Sequence, residues 1–493
     1  MGIDFGSFLD FTNEYLSFGV ITVCVVCAFI LLANVLRRRI KVFRRSLMPT
    51  AVIAGILGLI IKEVVLKIWD VNIFSMVTLS SMVYHLLPIG FIALCLRDKN
   101  NYSEDFDVSK VKTERVAAAK SGALIISTYL LQGLVGIAIT AFLGFTFLPA
   151  LNKGTGIMLA LGFGQGPQQA NATGFIWDSA YYMDAWGAGS ARNFGLTIAA
   201  LGFLWASIGG IILVNRIAKK RGKAIERDEY QKCGQMSNYT IEDPDEVPLS
   251  ESIDKFSLQI CMVGGVYLLT QGLIILIEIC FRASGVPFLI DLVPTIWGFS
   301  FMLAACVAIL TKTVLRHLVN KGIMKRKYPN SYMMNRIAGA SFDLTITAAL
   351  FLVSVTTLGT LWIPVMLMTA AGGFATIFYL RFLCAYMYKD YVDEAFMAFY
   401  GMLTGTIASG MILLREIDKD FSSPAGDDLV IGSSAAIVLG IPMLLLIAQS
   451  PAPGKLWWVT SVIVLYFIIL NVYQFKASIK KILSRNDKIG DRG

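Results

Sequence analysis

Apolar runs long enough to cross a bilayer, about 20 residues each, alternate with short polar segments along almost the whole of the 493-residue chain. The pattern predicts membrane-spanning helices over 15–36, 48–67, 75–96, 121–147, 193–215, 256–280, 291–311, 337–360, 362–386, 428–448 and 456–475, about 11 in all. The first run is too long for the apolar core of a signal peptide and has no small-residue cleavage site, so it reads as a retained span. The one long polar stretch is 216–254, with acidic Glu242–Glu246 and Pro248; it reads as a cytoplasmic linker.

Two places break the apolar pattern without becoming loops. From Gly162 to Gly174 the chain reads Gly-Phe-Gly-Gln-Gly-Pro-Gln-Gln-Ala-Asn-Ala-Thr-Gly, and from Gly401 to Gly410 it reads Gly-Met-Leu-Thr-Gly-Thr-Ile-Ala-Ser-Gly. Backbone freed from helical pairing in hydrocarbon costs roughly several kcal/mol per group, so it persists only when buried in protein or lining a wet cavity. Each break is therefore expected to be a re-entrant or broken-helix hairpin, near 155–176 and 394–416.

Charge placement fixes the sense of the spans. The chain is 56% hydrophobic and 16% charged, against about a quarter charged in soluble proteins. Its net charge of +9 lies in runs flanking apolar segments, 37–45, 99–120, 216–232, 312–327 and 476–492. That is the bias of cytoplasmic loops beside an anionic leaflet, and it argues for membrane lipid and against nucleic acid as partner. On this layout the amino terminus faces outside, the carboxyl terminus is cytoplasmic, and Lys62, Lys67, Lys153, Arg192, Arg282 and Lys455 are the outward basic residues.

The agreement requires that 162–174 not cross as a full span. Five spans in the first half then bring the chain inside, so a second half of the same plan must run in the opposite sense. The expected fold is an all-α integral membrane protein of two inverted-topology five-helix repeats, 1–215 and 255–450, joined by 216–254. Residues 451–493 add an extra helix and a basic tail. Paired Gly-interrupted segments in inverted halves are the sequence pointer to a secondary transporter's binding site.

In such hairpins, half-helix ends offer backbone N–H groups to an anion, and unwound carbonyls and hydroxyls offer oxygens to sodium. The candidate substrate and ion ligands are Gly164, Gln165, Gly166, Gln168, Gln169, Asn171 and Thr173 in the first hairpin, and Thr404, Gly405, Thr406 and Ser409 in the second. Asn171, Thr173, Thr404 and Thr406 are the sodium candidates. Asp343, within an apolar segment, is a further candidate, because an ionisable group in hydrocarbon marks function by default. Glu278 reads as snorkelling, Arg192 as a loop charge, and Trp177–Trp186 as an interfacial aromatic belt. The eight cysteines lie mostly inside apolar segments, and there are only two histidines. No phosphate-binding loop, zinc-protease helix, nucleophile elbow or paired-carboxylate pattern is present, so no enzyme and no cofactor beyond a coupling ion is expected. A channel or passive facilitator is the alternative reading.

From about residue 46 to 450 the order and spacing of segments resemble the bacterial sodium:glutamate symporter family. Leu47–Gly58 is similar to that family's early Pro-x-x-Val-x-Gly-Gly helix, and Pro88–Leu94 to its Thr-Ile-Gly-Leu third span. Residues 162–174 occupy the place of its Gly-Gly-His-Gly-Thr-Gly hairpin, with Gln165 and Pro167 near the family's His-Gly-Thr. Asp393–Gly401 and Gly405–Glu416 occupy the place of the second hairpin. The resemblance implies sodium-coupled import of an acidic amino acid such as glutamate, or a related small organic anion. It also implies a homodimer in a bacterial inner membrane, moving substrate by an elevator-like displacement.

Overall fold

The structure, a computed structural model, describes residues 14–40, 43, 47–66, 68, 74–97, 108–178, 190–222, 249–323, 329–354, 359–418 and 423–490. Every regular element among them is helical. In chain order these are α1 (Glu14–Arg39), α2 (Thr50–Ile60, continued by a π-turn Ile61–Leu66), α3 (Met76–Leu96) and α4 (Val108–Thr146). A 3-10 turn (Lys153–Ile157) and a π-turn (Ala160–Gln165) lead into α5 (Pro167–Trp177). Then come α6 (Ser190–Leu204), a π-turn (Trp205–Gly209) and α7 (Gly210–Lys220). The rest are α8 (Leu249–Ala283), α9 (Pro287–Gly298), α10 (Ser300–Asn320), α11 (Ser331–Leu352), α12 (Trp362–Met387), α13 (Val392–Leu403), α14 (Ile407–Ile417), α15 (Ala425–Gln449) and α16 (Leu456–Gly490).

Among the described residues eight helices are long and apolar enough to cross a membrane, or nine if a bent pair in α15 counts as one span. The chain is a multi-pass membrane protein. The other expected spans are helical but shorter, more polar or bent. Segment 48–67 leaves the α-helix at Ile60 for the π-turn. Segment 337–360 falls on α11, which ends at Leu352 and carries Arg336 and Asp343. Segment 428–448 is bent by 55° between Ile437 and Leu439. Pro442 accounts for the bend, since it cannot donate to the carbonyl four residues back and crowds it. The expected span 291–311 is displaced to Ser300–Asn320. α9 runs past Pro294 but ends at Gly298, and the helix that follows runs on through Lys312 and Arg316.

The described chain folds as two compact units, and neither follows the halves of the sequence. The first takes Met1–Lys99, Asp228–Ser284 and Leu303–Thr357; the second takes Asn100–Arg227, Gly285–Met302 and Leu358–Gly493. In the first unit α11 lies along α2 and α3. Phe351 packs edge-on against Phe29 and Phe74, with centroids 5.2 and 5.0 Å away. Lys62 donates to the Phe351 and Val353 carbonyls at 2.7 and 2.5 Å, closing the carboxyl end of α11 with a cation where the helix dipole favours one. Its apolar core is built from small and branched residues such as Ala93, Val266, Ala304 and Ala338.

In the second unit α4 is the central helix. α12, α15 and α16 all pack on it. α16 is held by hydrogen bonds from Gln474 to Ser127 at 3.0 Å and from Tyr466 to the Leu439 carbonyl at 2.6 Å. Most of the linker, 223–248, lies outside the described residues. So do Asp184 and Trp186 of the expected aromatic belt. Trp177, the first residue of that belt, is 2% exposed; it fills the core at the end of α5 rather than an interface.

Candidate functional site

Both glycine-interrupted segments lie in the second unit, and their course is read from the residues they touch. After α4 ends, the chain turns and runs back along it. Gly144 faces Lys153, Gly136 faces Gly156, Gly133 faces Ile157, and Tyr129 and Gln132 face Gly164. The Gly136–Gly156 contact is backbone on backbone; a β-carbon on Gly136 would stand 1.9 Å from the Gly156 carbonyl. At Gly166 the direction reverses. Its φ of +90° and ψ of −179° belong to a region that is essentially glycine-only. Pro167 then opens α5 at the first helical position, where its missing N–H costs nothing. α5 returns beside α6, with Ala170 on Gly195 and Gly174 on Arg192. α6 itself advances alongside the entering limb, Gly195 meeting Met158 and Gly202 meeting Phe163. Both limbs therefore open toward the Gly144 end of α4, and the segment is a helical hairpin.

The second segment does the same from the other end. Lys120 donates to the Met387 carbonyl at 2.7 Å, and the Ser121 and Tyr388 hydroxyls meet at 2.8 Å. From there α13 runs inward to Leu403, the chain turns at Thr404–Thr406, and α14 runs back. The limbs touch through backbone at Gly401 and Gly410. The π-turn Trp205–Gly209 and α7 accompany this second hairpin, with Gly209 at the Tyr400 hydroxyl and Gly210 at Leu413.

The two tips meet. A β-carbon on Gly166 would stand 3.6 Å from both the Gly405 carbonyl oxygen and the Thr406 methyl. The Thr404 carbonyl lies against Gly202 of α6. Gln132 of α4 donates to the Leu403 carbonyl at 2.8 Å. It lies midway between Ser121 and Gly144, roughly 17 Å from each along a helix rising about 1.5 Å per residue. The half-helices α5 and α14 both begin at the meeting point and bring to it their unpaired first-turn N–H groups and the positive ends of their dipoles.

The expected ligands divide accordingly. Gly164, Gly166, Gln168, Gln169, Asn171 and Thr173 are buried and Gln165 is half-buried. Gln169 Oε1, Asn171 Oδ1 and Thr173 Oγ1 are buried without a protein hydrogen-bond partner. In the second hairpin Thr404, Gly405 and Ser409 are buried and Thr406 is half-buried. The Thr404 hydroxyl donates to its own helix at the Tyr400 carbonyl, 2.7 Å, leaving its lone pairs for another group. The Thr406 and Ser409 hydroxyls lie 3.5 Å apart. Asp343 is not among the residues gathered here: it lies on α11 in the first unit and is exposed. Among the described residues no group of three or more His, Cys, Asp or Glu side chains could hold a metal.

Three residues at the tips had no signal in the pattern. Gln132 and Thr376, 2.9 Å apart, read as isolated polar positions inside apolar spans. Tyr400, whose hydroxyl donates to the Trp205 carbonyl at 2.7 Å, reads as an ordinary core aromatic.

Ionic groups sit at the open ends, away from the tips. Asp178 accepts from the backbone N–H groups of Ala191 and Arg192, at 3.0 and 3.2 Å, and its carboxylate lies 3.6 Å from the Arg192 side chain. Arg192 is thus committed to the hairpin base, not to a loose loop. At the other base Arg221 reaches Asp393 at 3.2 Å and Glu394 at 2.9 Å, and Arg381 reaches Asp393 at 2.6 Å. Glu278 pairs with Arg282, one turn on, at 2.8 Å. Asp178→Ala removes the carboxylate that receives the α6 amides, so thermal unfolding in detergent is expected to show a loss of about 1 kcal/mol. Asp178→Asn, which keeps an acceptor, should lose less.

No family model, no protein of curated function and no solved structure matches this chain.

Proposed function

We propose that the protein is a sodium-coupled secondary transporter importing glutamate or a small organic anion of similar size by elevator-like alternating access. One observation carries the reading: two helical hairpins, opening toward opposite ends of α4, bring their tips together halfway along it, as re-entrant hairpins would. A site of that kind offers an anionic group the amino ends of α5 and α14. It offers sodium the oxygens of Asn171, Thr173, Thr404 and Thr406. Among the described residues no charged side chain is one of those that meet at the tips, so the substrate's charge would be met by helix ends and amides.

The same reading takes the chain as two inverted repeats. α1 to α3 and α8, α10 and α11 contribute to the first unit, while α4 to α7 and α12 to α15 contribute to the second. α16 is then the added helix. A homodimer in a bacterial inner membrane, with the amino terminus outside and the carboxyl terminus in the cytoplasm, belongs to this proposal, as does the absence of enzymatic activity.

Uptake by proteoliposomes tests it. Under an inward sodium gradient, labelled glutamate should accumulate with saturable kinetics, and collapsing the gradient should stop it. Accumulation indifferent to sodium, or none with any small carboxylate, would sink the proposal. Currents rising linearly with concentration would instead indicate a channel or facilitator.

A further inference from the structure

Gln132 is fully buried, 0% exposed, at the middle of α4. Its Nε2 donates to the Leu403 carbonyl of the second hairpin at 2.8 Å and to the Thr376 hydroxyl oxygen of α12 at 2.9 Å. Those bonds use both amide hydrogens, and the Leu403 carbonyl, which only accepts, fixes which end of the amide faces it. The acceptor end is therefore turned toward the first hairpin. There Oε1 lies against Gly164, where a β-carbon would stand only 2.6 Å from it, and it has no protein hydrogen-bond partner.

Three further buried acceptors without a protein partner lie on the returning limb of that hairpin: Gln169 Oε1, Asn171 Oδ1 and Thr173 Oγ1. Unpaired buried acceptors are costly. Gln132 Oε1, fixed in place by the two bonds at Nε2, only accepts and can give an anion nothing; a cationic centre satisfies it. We propose that Gln132 is a specificity-determining residue of the hairpin site: Oε1 receives the cationic centre of the bound load, while Nε2 holds the second hairpin's tip in place. The assignment rests on the transporter reading for where the load binds. The cationic centre has two possible sources, the coupling sodium ion or the ammonium group of an amino-acid substrate.

The experiment uses the full chain in proteoliposomes, unaltered and as Gln132→Leu and Gln132→Glu. Glutamate and glutarate, which differ by the ammonium group, serve as substrates over a sodium titration. Losing one hydrogen bond to a charged group should weaken binding about tenfold. If the centre is sodium, Gln132→Leu raises the half-saturating sodium concentration for both substrates. If it is the ammonium, Gln132→Leu weakens glutamate and leaves glutarate unchanged. In either case Gln132→Glu, which keeps an oxygen at that point, binds the cation better than Gln132→Leu. Unchanged affinities in Gln132→Leu, or a lower maximal rate with both affinities intact, would overturn the assignment.

If the unaltered protein accumulates neither substrate, the transport reading fails by itself. Calorimetric titration of the purified chain with sodium chloride, with choline chloride as control, and with glutamate then decides the Gln132 assignment. Binding present in the unaltered chain and lost in Gln132→Leu supports it; equal binding, or none in either, overturns it.

Discussion

Gly166→Leu is expected to abolish uptake while leaving membrane insertion and expression intact. The backbone there has φ +90°, in a region where a side-chain-bearing residue is strained by about 1–3 kcal/mol. The β-carbon alone would fit, 3.6 Å from the Gly405 oxygen and the Thr406 methyl. The rest of a leucine side chain has no such room and must part the tips. Gly166→Ala separates the two effects: it carries the strain without the wedge, and should keep part of the activity. Sodium-driven uptake by reconstituted vesicles, with the amount of inserted protein measured in parallel, reads both variants. Normal uptake by the leucine variant would mean that the tips do not form the site.

Gly410→Leu is expected to disrupt the second hairpin itself. A β-carbon at Gly410 would stand 2.4 Å from the Ala398 carbonyl, and one at Gly401 would stand 2.7 Å from the Gly410 α-carbon. These neighbours are backbone and cannot swing aside, so α13 and α14 must separate along the seam. Overpacking of this kind costs about 1–3 kcal/mol, occasionally more. The purified protein should show a clearly lower unfolding temperature and no measurable uptake. Gly405 makes the useful contrast. The nearest atom to a β-carbon there is the Ser409 hydroxyl at 2.9 Å, a side chain able to rotate, so Gly405→Ala should be far milder. Equal damage at Gly405 and Gly410 would contradict the seam.

The two helix breaks were legible in the chain because their marks are local. Gly166-Pro167 cannot continue a helix, and both breaks lie in segments apolar enough that an exposed backbone would be prohibitive. The same local logic misread 291–311 and the start of the aromatic belt. Hydropathy averages over a window, whereas the helix end at Gly298 and the burial of Trp177 depend on single residues and their neighbours. Asp343 shows a further limit. Its position within an apolar segment marks it as unusual, but not which compact unit holds it.

The sequence by itself determined the helical membrane class, the position of both hairpins and the residues that break them, since periodicity, apolar length and glycine or proline backbone chemistry act over a few turns. Only the tertiary structure decided that the two hairpins share one unit and touch, that Gln132 joins their tips, and that units interleave the halves of the chain. Those facts rest on contacts between residues such as Gln132 and Leu403, 271 positions apart. A buried amide is hydrogen-bonded wherever the fold brings a partner, and no local pattern records where that partner lies.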